Sequence, residues 1–132
     1  MGLKLKLKSG EKVYINGALV ENRGSTAELE ILNRVPLLRE KDILLEKDVN
    51  SPCRQLYFVV QTLYFNPTDE SRLLQLLSKL SLEVVKAAPS TAALLERMFG
   101  QVSERKYYSA LRTVNELIDY ESKLLSHAKS AE

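Results

Sequence analysis

The feature that most constrains this chain is a change of period at Val49-Asn50-Ser51-Pro52. Upstream, apolar residues recur at every second position. Leu3-Lys4-Leu5-Lys6-Leu7-Lys8 alternates strictly, and successive side chains on a strand point to opposite faces, so one face is leucine and the other lysine. Ser9-Gly10 turns the chain into Lys12-Val13-Tyr14-Ile15, which meets Asn16-Gly17, the dipeptide of type I′ hairpins, and then a strand over 18–21. The turn cluster Asn22-Arg23-Gly24-Ser25 precedes short strands over 27–32 and 37–39. Residues 42–45 add a further one, giving an antiparallel meander of five or six strands within the first 48 residues.

Downstream the spacing becomes helical. Ser51 is placed to cap a helix and Pro52 takes its first position, where a missing N–H costs nothing. The body of that segment, residues 54–65, is apolar almost all round and rich in β-formers, so a strand is the alternative; the cap and the length favour a buried helix ended by Asn66-Pro67. Thr68 caps a second helix with the apolar stripe Leu73, Leu77, Leu80 and Val84. Ser90 caps a shorter one over 91–99, closed by Gly100 as the residue after the C-cap. Ser103 opens the last, with Tyr107, Leu111, Val114, Ile118 and Leu125 at helical spacing and Ala110, Leu117 and Leu124 widening the stripe. Strands first and helices second, without βαβ alternation, predict an α+β fold: an N-terminal antiparallel sheet packed against a C-terminal bundle of three or four helices. At 132 residues this is one domain, with a β-rich half over 1–48, a helical half over 51–127 and a fraying tail over 128–132.

The inventory for chemistry is thin. The single cysteine, Cys53, rules out an internal disulfide and a thiolate zinc site, and it reads as a partly buried structural thiol. His127, the single histidine, lies close to the C-terminus and reads as solvated. The five glycines, at 2, 10, 17, 24 and 100, never assemble a phosphate-binding loop, and no paired carboxylates point to hydrolytic or metal chemistry. The expectation is a protein that is not an enzyme and needs no cofactor or metal. No apolar run approaches the roughly 20 residues of a membrane span, the early lysines interrupt any signal-peptide core, and Lys6 stands where a myristoylation motif wants Ser or Thr. A cytoplasmic protein is expected.

Charge is the remaining signal. The chain carries a net +2, too little to steer the whole molecule toward nucleic acid. Residues 1–12 hold Lys4, Lys6, Lys8 and Lys12 against Glu11 alone, a local +3. Such a face serves either as a solvated edge that blunts aggregation or as a phosphate-contacting surface with Tyr14 as an aromatic platform, projecting on the same side as Lys12.

Two stretches go beyond pattern. Leu7-Lys8-Ser9-Gly10-Glu11-Lys12-Val13-Tyr14-Ile15-Asn16-Gly17-Ala18 and Ser51-Pro52-Cys53-Arg54-Gln55-Leu56-Tyr57-Phe58-Val59-Val60-Gln61-Thr62 resemble, in order and spacing, the opening and central segments of the FlbT family of flagellar biosynthesis repressors. Ser9 departs from that pattern, where the family often has proline. The resemblance implies a post-transcriptional regulator that associates with the 5′ untranslated region of flagellin messenger RNA and affects its translation and decay, linked to a second small factor, FlaF. On the matched positions Arg54 and Gln55 either hydrogen-bond a base edge or tie the helix start to the sheet. The RNA-binding candidates are therefore Lys4, Lys6, Lys8, Lys12, Tyr14, Arg54 and Gln55. The alternative is a protein-interaction adaptor, or a chaperone-like factor in flagellum assembly, whose helical half docks FlaF or flagellin. An N-terminal edge strand also leaves room for a homodimer.

Overall fold

The computed structural model describes residues 2–131, and the side-chain surroundings of residues 2–127. Five strands precede four helices: β1 (Leu3–Leu7), β2 (Lys12–Ile15), β3 (Ala18–Glu21), β4 (Ala27–Ile31), β5 (Leu37–Arg39), then α1 (Pro52–Phe65), α2 (Glu70–Ala87), α3 (Ala92–Ser103) and α4 (Tyr107–Ala131). The fold is α+β. The chain divides into two compact units, Met1–Ile43 and Leu44–Glu132.

In the first unit, β2 and β3 form the expected hairpin, and Asn16 and Gly17 both adopt positive φ (46° and 96°), as a type I′ turn requires. The strands do not follow one another as a meander. β1 skips its neighbour and pairs antiparallel with β4, while β5 pairs with β2, giving one sheet of order β1-β4 and another of order β3-β2-β5. Asn22 enforces the detour. Its Nδ2 donates to the Leu7 and Ser25 carbonyls (2.9 and 2.8 Å), its Oδ1 accepts from Gly24 N–H, and its backbone bonds Glu11 and Gly10. A cluster read from the sequence as a simple turn thus ties β1 to the hairpin. Leu5 and Leu7 are buried with Val13, and Ile15 and Leu37 pack against them, forming this unit's core.

Residues 42–45 are not a strand. Glu40–Asp42 form a 3-10 turn, and the backbone at Leu44 is satisfied by a side chain: its N–H donates to Gln61 Oε1 (2.8 Å) and its carbonyl accepts from Gln61 Nε2 (3.0 Å). The Gln61 amide takes the place of a ladder partner.

The second unit is built on α1, which buries Cys53, Leu56, Tyr57, Val59, Val60, Gln61 and Leu63 and packs against α2 and α4. This all-round burial explains why its sequence lacks a clear helical stripe. Ser51 caps it as expected, its Oγ accepting from Arg54 N–H at 3.2 Å. Four other expected helix boundaries move. Thr68 lies in a 3-10 turn and α2 starts at Glu70. Ser90 bonds the Tyr120 hydroxyl (2.6 Å) instead of capping α3. Gly100 and Ser103 both belong to α3, whose end is a Schellman motif with Arg105, not glycine, in the left-handed position at φ 60°. Arg105 N–H bonds the Val102 carbonyl and Lys106 N–H that of Gln101. On α4, Ala110, Leu111, Val114 and Leu117 are buried as the stripe predicts, while Leu124 and Leu125 are exposed. Over the tail that the sequence predicts to fray, 128–132, α4 continues as helix to Ala131, and Glu132 lies outside the described residues.

Candidate functional site

On β1 the parity of the sequence is realised: Leu5 and Leu7 are 3% and 2% exposed, and Lys4 and Lys6 project to the other side. The pairing with β4 changes what that projection means. Lys4 stands opposite Glu30 and Lys6 opposite Glu28, and facing side chains of an antiparallel pair lie about 5 Å apart at Cβ. Glu11 turns its carboxylate back onto Lys8 N–H (2.6 Å). Lys12 faces Glu21 across the hairpin and makes an ion pair with Glu40 at 3.7 Å. The charges of Lys4, Lys6 and Lys12 are thus met in space by carboxylates from β4, β3 and the Glu40 turn, while Glu11 takes up the Lys8 backbone N–H. The face is a ladder of alternating charge.

Tyr14 shares the Lys12 face of β2, as parity predicts, with Leu19 opposite on one side and the fully buried Leu38 on the other. It is half-buried. Lys4, Lys6 and Lys8 belong to the β1 side and Lys12 and Tyr14 to the second sheet, the two joined by Arg39, whose guanidinium donates to the Lys6 carbonyl (3.2 Å). Arg54 and Gln55 occupy the first turn of α1 in the other unit. Their backbone N–H groups go to Ser51, through its hydroxyl and carbonyl respectively. The Gln55 side chain is exposed and that of Arg54 half-buried.

Gln61 and Glu121 were not singled out from sequence. Gln61 fixes the segment leading into α1, and the signal that marks it is a lone amide in an apolar helix. Glu121, from α4, accepts from Cys53 N–H at 3.1 Å, a carboxylate placed at the positive end of α1. Burial, with the neighbouring Glu121 charge, pushes the Cys53 thiol up to about 12. That is the opposite of what a nucleophile needs. His127 is exposed on α4. Burial, reinforced by Glu70, also raises the Tyr107 hydroxyl. No group of three or more metal-ligating side chains occurs among the described residues, nor is any helix among them long and apolar enough to cross a membrane.

The model of the family described as flagellar protein FlbT matches residues 3–125. The chain belongs to the FlbT family. It is 33% identical over 132 residues to the "Flagellum biosynthesis repressor protein FlbT" of Caulobacter vibrioides, covering 98% of this chain and 94% of that one. Relatives described as "Probable flagellum biosynthesis repressor protein FlbT" occur in Allorhizobium ampelinum (33% identity, 98% and 87% coverage) and Agrobacterium fabrum (34%, 95% and 85%). No solved structure gives a significant match. FlbT is a family of repressors with a regulatory role, not a catalytic one.

Proposed function

We propose that this FlbT chain regulates flagellum biosynthesis after transcription, in the cytoplasm, by holding the 5′ untranslated region of flagellin messenger RNA and so affecting its translation and decay. The observation that carries the reading is the family match over residues 3–125, with relatives named as repressors of flagellum biosynthesis. The proposed contact surface is the lysine ladder of the first unit, Lys4, Lys6, Lys8 and Lys12, with Tyr14 at its border; Arg54 and Gln55, at the start of α1, are separate candidates for RNA contact. Phosphates engage such a ladder by taking lysines over from Glu28, Glu30, Glu21 and Glu40, so binding is weaker and less salt-sensitive than four unpaired lysines would give. Capture of the tagged protein from cells, with bound RNA and bound protein both identified, tests the reading. Enrichment of flagellin leader is expected. FlaF or flagellin recovered without RNA would move the function to the second reading.

That second reading, an adaptor acting through the helical unit, is favoured by one observation. Between α2 and α3 lies an open groove of about 360 Å³ lined by Leu82, Val85, Leu95 and Phe99, with the buried Ser81 hydroxyl left without a partner. Such a groove suits an amphipathic helix.

A further inference from the structure

The first unit presents strand edges of different character. Near the C-terminal end of β1 the carbonyls of Lys6 and Leu7, which point to opposite sides of the strand, accept from the side chains of Arg39 and Asn22. β3 is exposed at all four of its residues, Leu19 at 65% and Val20 at 38%. It has no lysine, proline or bulge, devices that strand edges ordinarily use against pairing, and its blunting features are its length of four residues and the single charge of Glu21.

The hairpin register fixes which groups β3 offers. Asn22 N–H bonds the Glu11 carbonyl, and Ile15 faces Ala18 across a two-residue turn. Ala18 and Val20 therefore spend their N–H and C=O on β2, while Leu19 and Glu21 turn theirs outward.

We propose that β3 is a self-association edge, pairing antiparallel with β3 of a second copy about a two-fold axis at Val20. In this register each Leu19 faces the partner copy's Glu21, making four ladder hydrogen bonds, and Val20 faces its own symmetry mate. The two copies then share one six-stranded sheet. Charge selects this edge over that of β4. β4 carries Glu28 and Glu30 on one face, so every closely overlapping antiparallel self-pairing of β4 sets glutamate against glutamate, which destabilises the pair. Pairing through β3 opposes no like charges. A two-fold contact of this kind is closed, so it ends at a dimer and does not propagate into fibres.

The test is the mass of the full chain by light scattering, together with three variants. The intact protein should run at twice its 15.0 kDa chain mass. Leu19→Glu, which sets a carboxylate against the partner's Glu21, should give the monomer; Leu19→Lys, equally polar, should keep the dimer. Val20→Cys should cross-link the two chains on mild oxidation, because non-hydrogen-bonded antiparallel partners lie about 4.5 Å apart at Cα, within disulfide range. Cys53 is buried and stays out of that reaction. A monomer at every concentration, equal effects of the two Leu19 variants, or cross-linking through Leu29→Cys on β4 in preference to Val20→Cys would each overturn the proposal.

Discussion

At the scale of single residues, the side chains that organise this protein are polar ones holding backbone. Gln61 is 5% exposed and supplies both a donor and an acceptor to Leu44. Gln61→Leu keeps the volume but strands two backbone groups, and an unmet buried group costs about 1–3 kcal/mol. Urea denaturation should therefore show a loss of roughly 2–4 kcal/mol; a loss below about 1 kcal/mol would mean the clamp is not what holds this segment. Cys53 makes a second prediction. Its folded pKa of about 12 lies above the ordinary value of 9.0, so above pH 9 the unfolded chain gives up a proton that the folded chain keeps. Stability is thus unaffected by this group below pH 9 and falls between pH 9 and about 12, by up to about 1.4 kcal/mol per pH unit. Cys53→Ala should flatten that slope in denaturant titrations at pH 8 and pH 10. The native thiol should also resist alkylation at pH 8 and react only on unfolding. Of these residues, the sequence marked Cys53 correctly as structural. It was silent on Gln61, whose role depends on a segment 17 positions away.

At the scale of elements, what could be read from the sequence was whatever local chemistry decides. The Asn16-Gly17 turn and the Ser51-Pro52 helix start are encoded within four residues and stand where expected. Ser51→Ala should cost about 1 kcal/mol in thermal or chemical denaturation, as the loss of an N-cap does. The misplaced boundaries have the right chemistry for a helix end but do not serve as one: Ser90 spends its hydroxyl on Tyr120 of α4, while Thr68 and Gly100 lie inside a 3-10 turn and a helix that run past them. The end of α3 is the sharpest case, since Arg105 sits at φ 60° where glycine is favoured. Its guanidinium reaches Glu70 at 3.3 Å, an exposed pair of small worth. Arg105→Gly should therefore raise stability, by about 1 kcal/mol relative to Arg105→Ala, which keeps the strain and loses the ion pair. Equal melting temperatures for the two variants would count against that strain. The β1–β4 register escaped the sequence reading for a different reason. The complement of Leu-Lys-Leu-Lys-Leu is Ala-Glu-Leu-Glu-Ile, legible at 27–31 once the two are set side by side. Hairpin logic looks to the next strand in sequence, and here the partner lies beyond an intervening hairpin.

At the scale of the whole molecule, the family rests on the match over residues 3–125, and the α+β order of strands and helices was plain from the change of period alone. The candidate site was legible only in part. The lysines project as alternation requires, but a local charge count could not see that Glu28 and Glu30 come to face Lys6 and Lys4. This pairing turns the proposed RNA surface into a quantity that can be measured. Four unpaired lysines on single-stranded RNA would give a slope of about −3 in log affinity against log salt, at about −0.7 per phosphate. Glutamates acting as built-in counterions should make the observed slope shallower. The most direct test is therefore the salt dependence of flagellin-leader binding by the intact chain and by the Glu28→Gln/Glu30→Gln variant. Tighter binding by the variant, with a slope moving toward −3, is the predicted result; unchanged affinity and slope would place the RNA contact away from the lysine ladder.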